Sequence, residues 1–92
     1  MLLVDKTGKV FDETEITRGT LIFAKHLTWD AGLSGIVTQV TENEIRVQYL
    51  PQIRNVMNHF FVKSDEVQRG EWFIRYSNDG LLTTKTYPVL QE

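Results

Sequence analysis

Apolar and polar residues alternate over short runs in this chain, and turn-forming residues separate the runs at intervals of ~8–14 positions. The clearest run pair is residues 35–51, GIVTQVTENEIRVQYLP. Ile45, Val47 and Tyr49 share one face of a strand, while Arg46, Gln48 and Leu50 share the other, which predicts one buried side. In the strand before it, Ile36 and Val40 fall on one face and Val37 on the other. Either both faces are partly covered or a bulge shifts the register. Residues 41–44, TENE, make the connecting turn, with Asn43 expected near the left-handed region. Pro51 ends the hairpin because it has no N–H to give to a ladder.

The same pattern places the other elements. The apolar start Leu2-Leu3-Val4 and the later Val10-Phe11 flank the turn residues Asp5-Lys6-Thr7-Gly8, an N-terminal hairpin or extension over residues 1–15. In residues 20–26, TLIFAKH, Leu21, Phe23 and Lys25 point one way and Ile22, Ala24 and His26 the other, predicting a strand with apolar groups on both faces. Residues 27–34, LTWDAGLS, form an irregular connection whose one large apolar group is Trp29. Residues 52–62 fit two templates. Ile53, Val56, Met57, Phe60 and Phe61 have helical spacing, but no good N-cap follows Pro51 and Phe60-Phe61-Val62 is β-rich, which favours a loop to Asn55 and a strand from Val56 to Val62. Residues 63–70 read as one helical turn, capped by Ser64, anchored by Val67 and ended by Gly70. In the strand after it, Trp72, Ile74 and Tyr76 oppose Phe73 and Arg75. Asn78-Asp79-Gly80 is a hairpin turn signal before a return strand over residues 81–87.

Composition narrows this to one domain. The chain has 92 residues, and its five Phe, three Tyr and two Trp supply the buried area that a small core requires. It contains no cysteine, so disulfides, thiolate metal sites and cysteine nucleophiles are excluded together. The start of the chain lacks the basic and long apolar regions of a secretory signal, and no run reaches the ~18–20 apolar residues of a membrane helix. The expectation is a cytoplasmic protein that does not contact membranes.

Reactive chemistry has little support. His26, Asp30 and His59 are the histidines plus a nearby carboxylate, and they lack the tight spacing of a transition-metal site. Ser34, Ser64 and Ser77 have no activating context, and Gly32 and Gly35 are not followed by the Lys-Ser/Thr of a phosphate loop. The acidic pairs Asp12-Glu13 and Asp65-Glu66 sit beside turns, where solvation is the ordinary explanation. The chain is therefore expected not to be an enzyme and to need no cofactor or metal.

Binding is better supported. Lys25, His26, Arg46, Arg54, His59, Lys63, Arg69 and Arg75 interleave with Trp29, Tyr49, Phe60 and Trp72, residue types that hold single strands by charge and stacking. The formal net charge of −2 opposes that reading, because it removes long-range attraction to phosphate. The loop carrying Trp29 and the loop at residues 50–55 suit a peptide groove, and open strand edges suit pairing with a second copy.

The strand order through Gly19-Thr20-Leu21-Ile22-Phe23-Ala24, Gly35-Ile36-Val37, Ile45-Arg46-Val47-Gln48-Tyr49 and Phe60-Phe61-Val62-Lys63-Ser64-Asp65-Glu66-Val67 resembles that of small SH3-like β-barrels. It also resembles the uncharacterised small barrel proteins of Gram-positive bacteria and their mobile elements. The resemblance implies a mainly β fold, a small SH3-like barrel of five to six short strands with one short helical turn, spanning residues 16–88 of a single domain over residues 1–92. It names no catalytic residue. The expected function is a non-catalytic interaction module for a protein partner or for itself; a nucleic-acid-binding barrel is the alternative. The expected contact residues are Trp29, Arg46, Gln48, Arg54 and Arg75.

Overall fold

A computed structural model of the chain describes residues 2–4, 10–49 and 58–87. The central hairpin forms as β4 (Leu33–Val40) and β5 (Glu44–Gln48), paired antiparallel with a register shift between Val37 and Gln39. The shift is a bulge, one of the two readings that the broken alternation left open. It sets Val37 opposite Val47 and Val40 opposite Ile45, turning both valines to the core and leaving Ile36 outside at 42% exposure. Asn43 does not take the left-handed conformation expected of it: Leu81 is the one non-glycine residue at positive φ among the described residues. Thr41 closes the turn onto Glu44, its N–H donating to the Glu44 carbonyl at 2.9 Å and its hydroxyl accepting the Glu44 N–H at 3.1 Å. Distant partners brace it, since the Asn43 carbonyl accepts the Ser64 N–H and the Glu42 carbonyl accepts the Phe11 N–H.

Four more strands extend the hairpin into one antiparallel sheet. They are β3 (Leu21–His26), β6 (His59–Lys63), β7 (Trp72–Ser77) and β8 (Lys85–Tyr87), and the spatial order is β6-β5-β4-β3-β7-β8. The fold is mainly β with one short helix, as the sequence pattern implies, but the ladder stays open. A closed barrel would need β6 and β8 to pair, and no such pairing occurs among the described residues. The last strand is also shorter than expected. Residues 78–84 form a loop in which the Asp79 carboxylate accepts from the Ser77 hydroxyl and the Thr83 N–H, so β8 starts at Lys85 rather than Leu81. The expected loop over residues 52–55 lies outside the described residues, and β6 occupies the end of the strand expected over residues 56–62.

The core lies on the face of the sheet built from Ile22, Ala24, Val37, Ile45, Val47, Val62, Trp72, Ile74 and Tyr76, all buried. A two-stranded N-terminal hairpin, β1 (Leu3–Val4) with β2 (Val10–Phe11), adds the buried Leu2, Leu3 and Phe11. The helix α1 (Ser64–Gln68) adds Val67. Its N-cap is Lys63, without a side-chain cap bond, and the expected cap Ser64 is buried inside the first turn. Gly70, at φ +82, then reverses the chain into β7.

At Gly35 the backbone of β4 passes close against β5. A Cβ at this position would stand 2.4 Å from the Gln48 carbonyl oxygen and 2.8 Å from Val47 Cγ1. Backbone cannot step aside as a side-chain tip can. Gly35→Ala is expected to cost ~1–3 kcal/mol, read as a lower urea midpoint with unchanged slope. An unchanged midpoint would mean that β4 and β5 pack more loosely than described.

Candidate functional site

The second face of the sheet departs from the usual polar exterior of a half-buried antiparallel sheet. Cross-strand register fixes its membership. Lys25 stands opposite Phe73, Phe23 opposite Arg75 and Ser34, and Leu21 opposite Ile36. Farther along, Ile36 pairs with Gln48, Gln48 with His59, Arg46 with Phe61, and Glu44 with Lys63. This face therefore carries Lys25, Arg46, Lys63 and Arg75 against one acid, Glu44, at its strand positions. A molecule of formal net charge −2 thus presents one basic face, and the overall balance hides it.

Aromatic and aliphatic groups are interleaved with these cations. Phe23 and Phe73 meet edge to face at 6.3 Å, and the Arg75 guanidinium lies 5.9 Å from the centre of the Phe73 ring. Phe61 is 41% exposed beside Arg46, whose Nη1 donates to the Thr38 hydroxyl at 3.2 Å. Next to Arg75 lies a recess of about 240 Å³ lined by Leu21, Phe23, Ser34, Arg75 and Leu81 among others. Leu81 sits there at φ +74, a conformation that costs a non-glycine residue free energy, in the loop fixed by Ser77 and Asp79. Hydrogen bonds from the Thr83 N–H, foremost, and from the Ser77 hydroxyl hold the Asp79 carboxyl below its ordinary range.

A second group of polar and aromatic residues occupies the opposite side of the sheet at one end. Trp29 packs edge to face on Phe60 at 5.2 Å and on Trp72 at 5.1 Å, and Tyr49 tilts against Phe60 at 5.8 Å. His26 contacts the Trp72 ring at 4.9 Å. Its Nε2 faces Glu71 Oε1 at 3.2 Å, and its Nδ1 lies 2.8 Å from the Thr28 hydroxyl. Glu71 also accepts from Arg69 Nε at 2.6 Å, and Glu66 accepts from the Trp72 indole N–H at 3.2 Å. The Arg69 hydrogen bond, opposed by burial, keeps the Glu71 carboxyl below its ordinary value of 4.5. His26, Glu66 and Glu71 each offer one ligand atom, all within 4.8 Å of one another. The histidine thus has companions other than Asp30 and His59; His59 lies on β6, with its Nδ1 3.0 Å from Asn58 Oδ1.

Away from both places, Glu15 joins the N-terminal segment to the β7–β8 edge. It accepts from Lys85 and, at 3.0 Å, from the Tyr76 hydroxyl, and these two bonds depress its carboxyl pKa. Burial, with Glu15 beside it, pushes the Tyr76 hydroxyl up.

Of the five expected contact residues, Arg46, Gln48 and Arg75 come together on the basic face. Trp29 lies on the other side of the sheet, half-buried among aromatic neighbours, and Arg54 falls outside the described residues. The aromatics chosen from sequence to accompany the cations (Trp29, Tyr49, Phe60 and Trp72) belong to that inner cluster. Those beside the cations are Phe23, Phe61 and Phe73, which strict alternation against the buried Ala24, Val62 and Ile74 could have identified.

A family model described as a domain of unknown function (DUF5026) matches residues 2–83, and the chain belongs to that family. No curated protein and no solved structure matches it.

Proposed function

We propose that this domain is a non-catalytic module that binds single-stranded nucleic acid across the outer face of its sheet. One observation carries the reading: Lys25, Arg46, Lys63 and Arg75 share a face with the partly exposed rings of Phe23, Phe61 and Phe73. Rings of this kind stack on any base, cations beside them hold the backbone, and neither needs a reactive group. The recess at Leu21, Phe23 and Arg75 offers a base an apolar floor with a cation at its rim. An SH3-like ancestry, suggested by strand order alone, would suit such a module, because small barrels serve many binding roles. The low net charge is less of an objection once the charges are separated between faces, since binding responds to local potential.

A protein partner, including a second copy of the chain, is the alternative on the same face, and the exposure of Ile36 and Phe61 favours it. Backbone amide shifts recorded with a single-stranded oligothymidylate distinguish the two. Binding should perturb β3, β5, β6 and β7 at the residues named above. Perturbation confined to the Trp29 end, or none at all, would remove the nucleic-acid reading. A concentration-dependent dimer that buries this face would replace it with self-association.

A further inference from the structure

We propose that His26, Glu66 and Glu71 form a binding site for one divalent transition-metal ion, with zinc as the best match to the donor set. One imidazole nitrogen and two carboxylate oxygens suit zinc, whereas calcium and magnesium favour oxygen alone. Ligands on a tetrahedral zinc ion, bound at 2.0–2.2 Å, stand about 3.4 Å apart. His26 Nε2 and Glu71 Oε1 are already 3.2 Å apart, and the three donor atoms lie within 4.8 Å of one another. Side-chain rotation within the cluster would bring the third donor to that spacing.

The backbone holds these donors together across a long stretch of sequence. The Leu27 N–H donates to the Glu71 carbonyl at 2.9 Å, and the Glu71 N–H donates to the Glu66 carbonyl at 3.0 Å. The end of β3, the helix and the start of β7 are therefore tied at the point where the three side chains meet. Each donor also has a group behind it. Thr28 holds the imidazole from behind, its N–H donating to His26 Nδ1 at 3.2 Å and its hydroxyl lying 2.8 Å from the same nitrogen, so Nε2 is the atom turned toward Glu71. An ion bound at Nε2 moves the ring proton to Nδ1, where the Thr28 hydroxyl accepts its hydrogen bond. Arg69 holds the far oxygen of Glu71 at 2.6 Å, so the near oxygen stays turned to His26. The Trp72 indole occupies Oε1 of Glu66 and leaves that carboxylate a second oxygen. Asp65, at 3.3 Å, and Glu71, at 2.6 Å, share the Arg69 guanidinium, Glu66 adds a third carboxylate beside Glu71, and a divalent ion would offset the surplus negative charge.

The site lies across the sheet from the proposed nucleic-acid face and does not depend on it. The test is titration of the wild-type chain, freed of any histidine tag, with zinc chloride alone, followed by calorimetry and by tryptophan emission. Trp72 touches both His26 and Glu66, so occupancy should change its emission. Binding of one ion per chain is expected. Glu66→Gln, which keeps an acceptor for Trp72, and His26→Gln should each weaken it at least about 10-fold, and His59→Gln should leave it unchanged. Thr28→Val should weaken binding about 10-fold through the histidine's orientation, and Thr28→Ser should restore it. If zinc gives no saturable heat or emission change, or if His59→Gln abolishes the binding while Glu66→Gln does not, the three side chains are only a hydrogen-bonded network. Folded far-ultraviolet dichroism of each variant keeps loss of structure apart from loss of ligands.

Discussion

Trp72→Ala is expected to lower stability by about 4 kcal/mol, a large share of what a domain of this size possesses. Trp72 is 4% exposed and stands at the centre of the aromatic cluster. Its ring stacks on Phe60 at 6.0 Å and meets Trp29 at 5.1 Å and His26 at 4.9 Å, and its indole N–H ties this aromatic group to Glu66. Alanine would leave a cavity between β3, β6 and β7 and orphan the carboxylate partner. The midpoint of thermal unfolding, followed by far-ultraviolet dichroism, should fall by at least about 15 °C. Phe61→Ala is the contrasting change: that ring is 41% exposed on the other face, so its loss should cost less than about 1 kcal/mol. A small effect at Trp72 would mean that the aromatic end is peripheral to the core rather than part of it.

On the outer face, Phe73→Ala and Arg75→Glu should each weaken single-strand binding about 10- to 100-fold while the fold survives. Base–aromatic stacking is worth ~1–3 kcal/mol, and reversing Arg75 replaces an attraction to phosphate by a repulsion. The two residues are coupled, since the guanidinium lies over the Phe73 ring, so the double variant should lose less than the product of the single losses. Arg75 is exposed and Phe73 half-buried, which is why stability should fall little. Arg18→Glu, in the exposed turn before β3 and outside the strands that build this face, should change affinity less than about twofold. Equal losses for Arg18 and Arg75 would point to unspecific attraction rather than to a defined face.

How much of this could be read from the sequence follows from the range of the interactions involved. Alternation is local, so the hairpin, the buried partners of Arg46 and Gln48, and the inward set Trp72, Ile74 and Tyr76 were all legible. The broken alternation at Val37 left two readings open, and the bulge is the one that the register shows. Which strands become neighbours is not local. The pairing of β3 with β7 sets Phe23 beside Arg75 and Lys25 beside Phe73, residues about fifty positions apart, and only that pairing gathers the cations on one face. The same limit hid the carboxylates that meet His26, for Glu66 and Glu71 arrive through α1 and the turn after it. Trp29 misled for a simpler reason. A lone tryptophan in a polar loop suggests a contact surface, yet its ring is spent anchoring that loop to Phe60 and Trp72.

The central claim is that the outer face attracts a nucleic-acid backbone and stacks its bases, and salt-dependent affinity tests it most directly. A fluorescently labelled oligothymidylate of about 15 nucleotides would be titrated with the wild-type chain, and anisotropy read at several salt concentrations. Three or four phosphate contacts from Lys25, Arg46, Lys63 and Arg75 predict a log–log slope of about −2 to −3, so affinity should fall about 20- to 50-fold between about 50 and 200 mM salt. No saturable binding at low salt, or binding whose strength does not change with salt, would contradict the account.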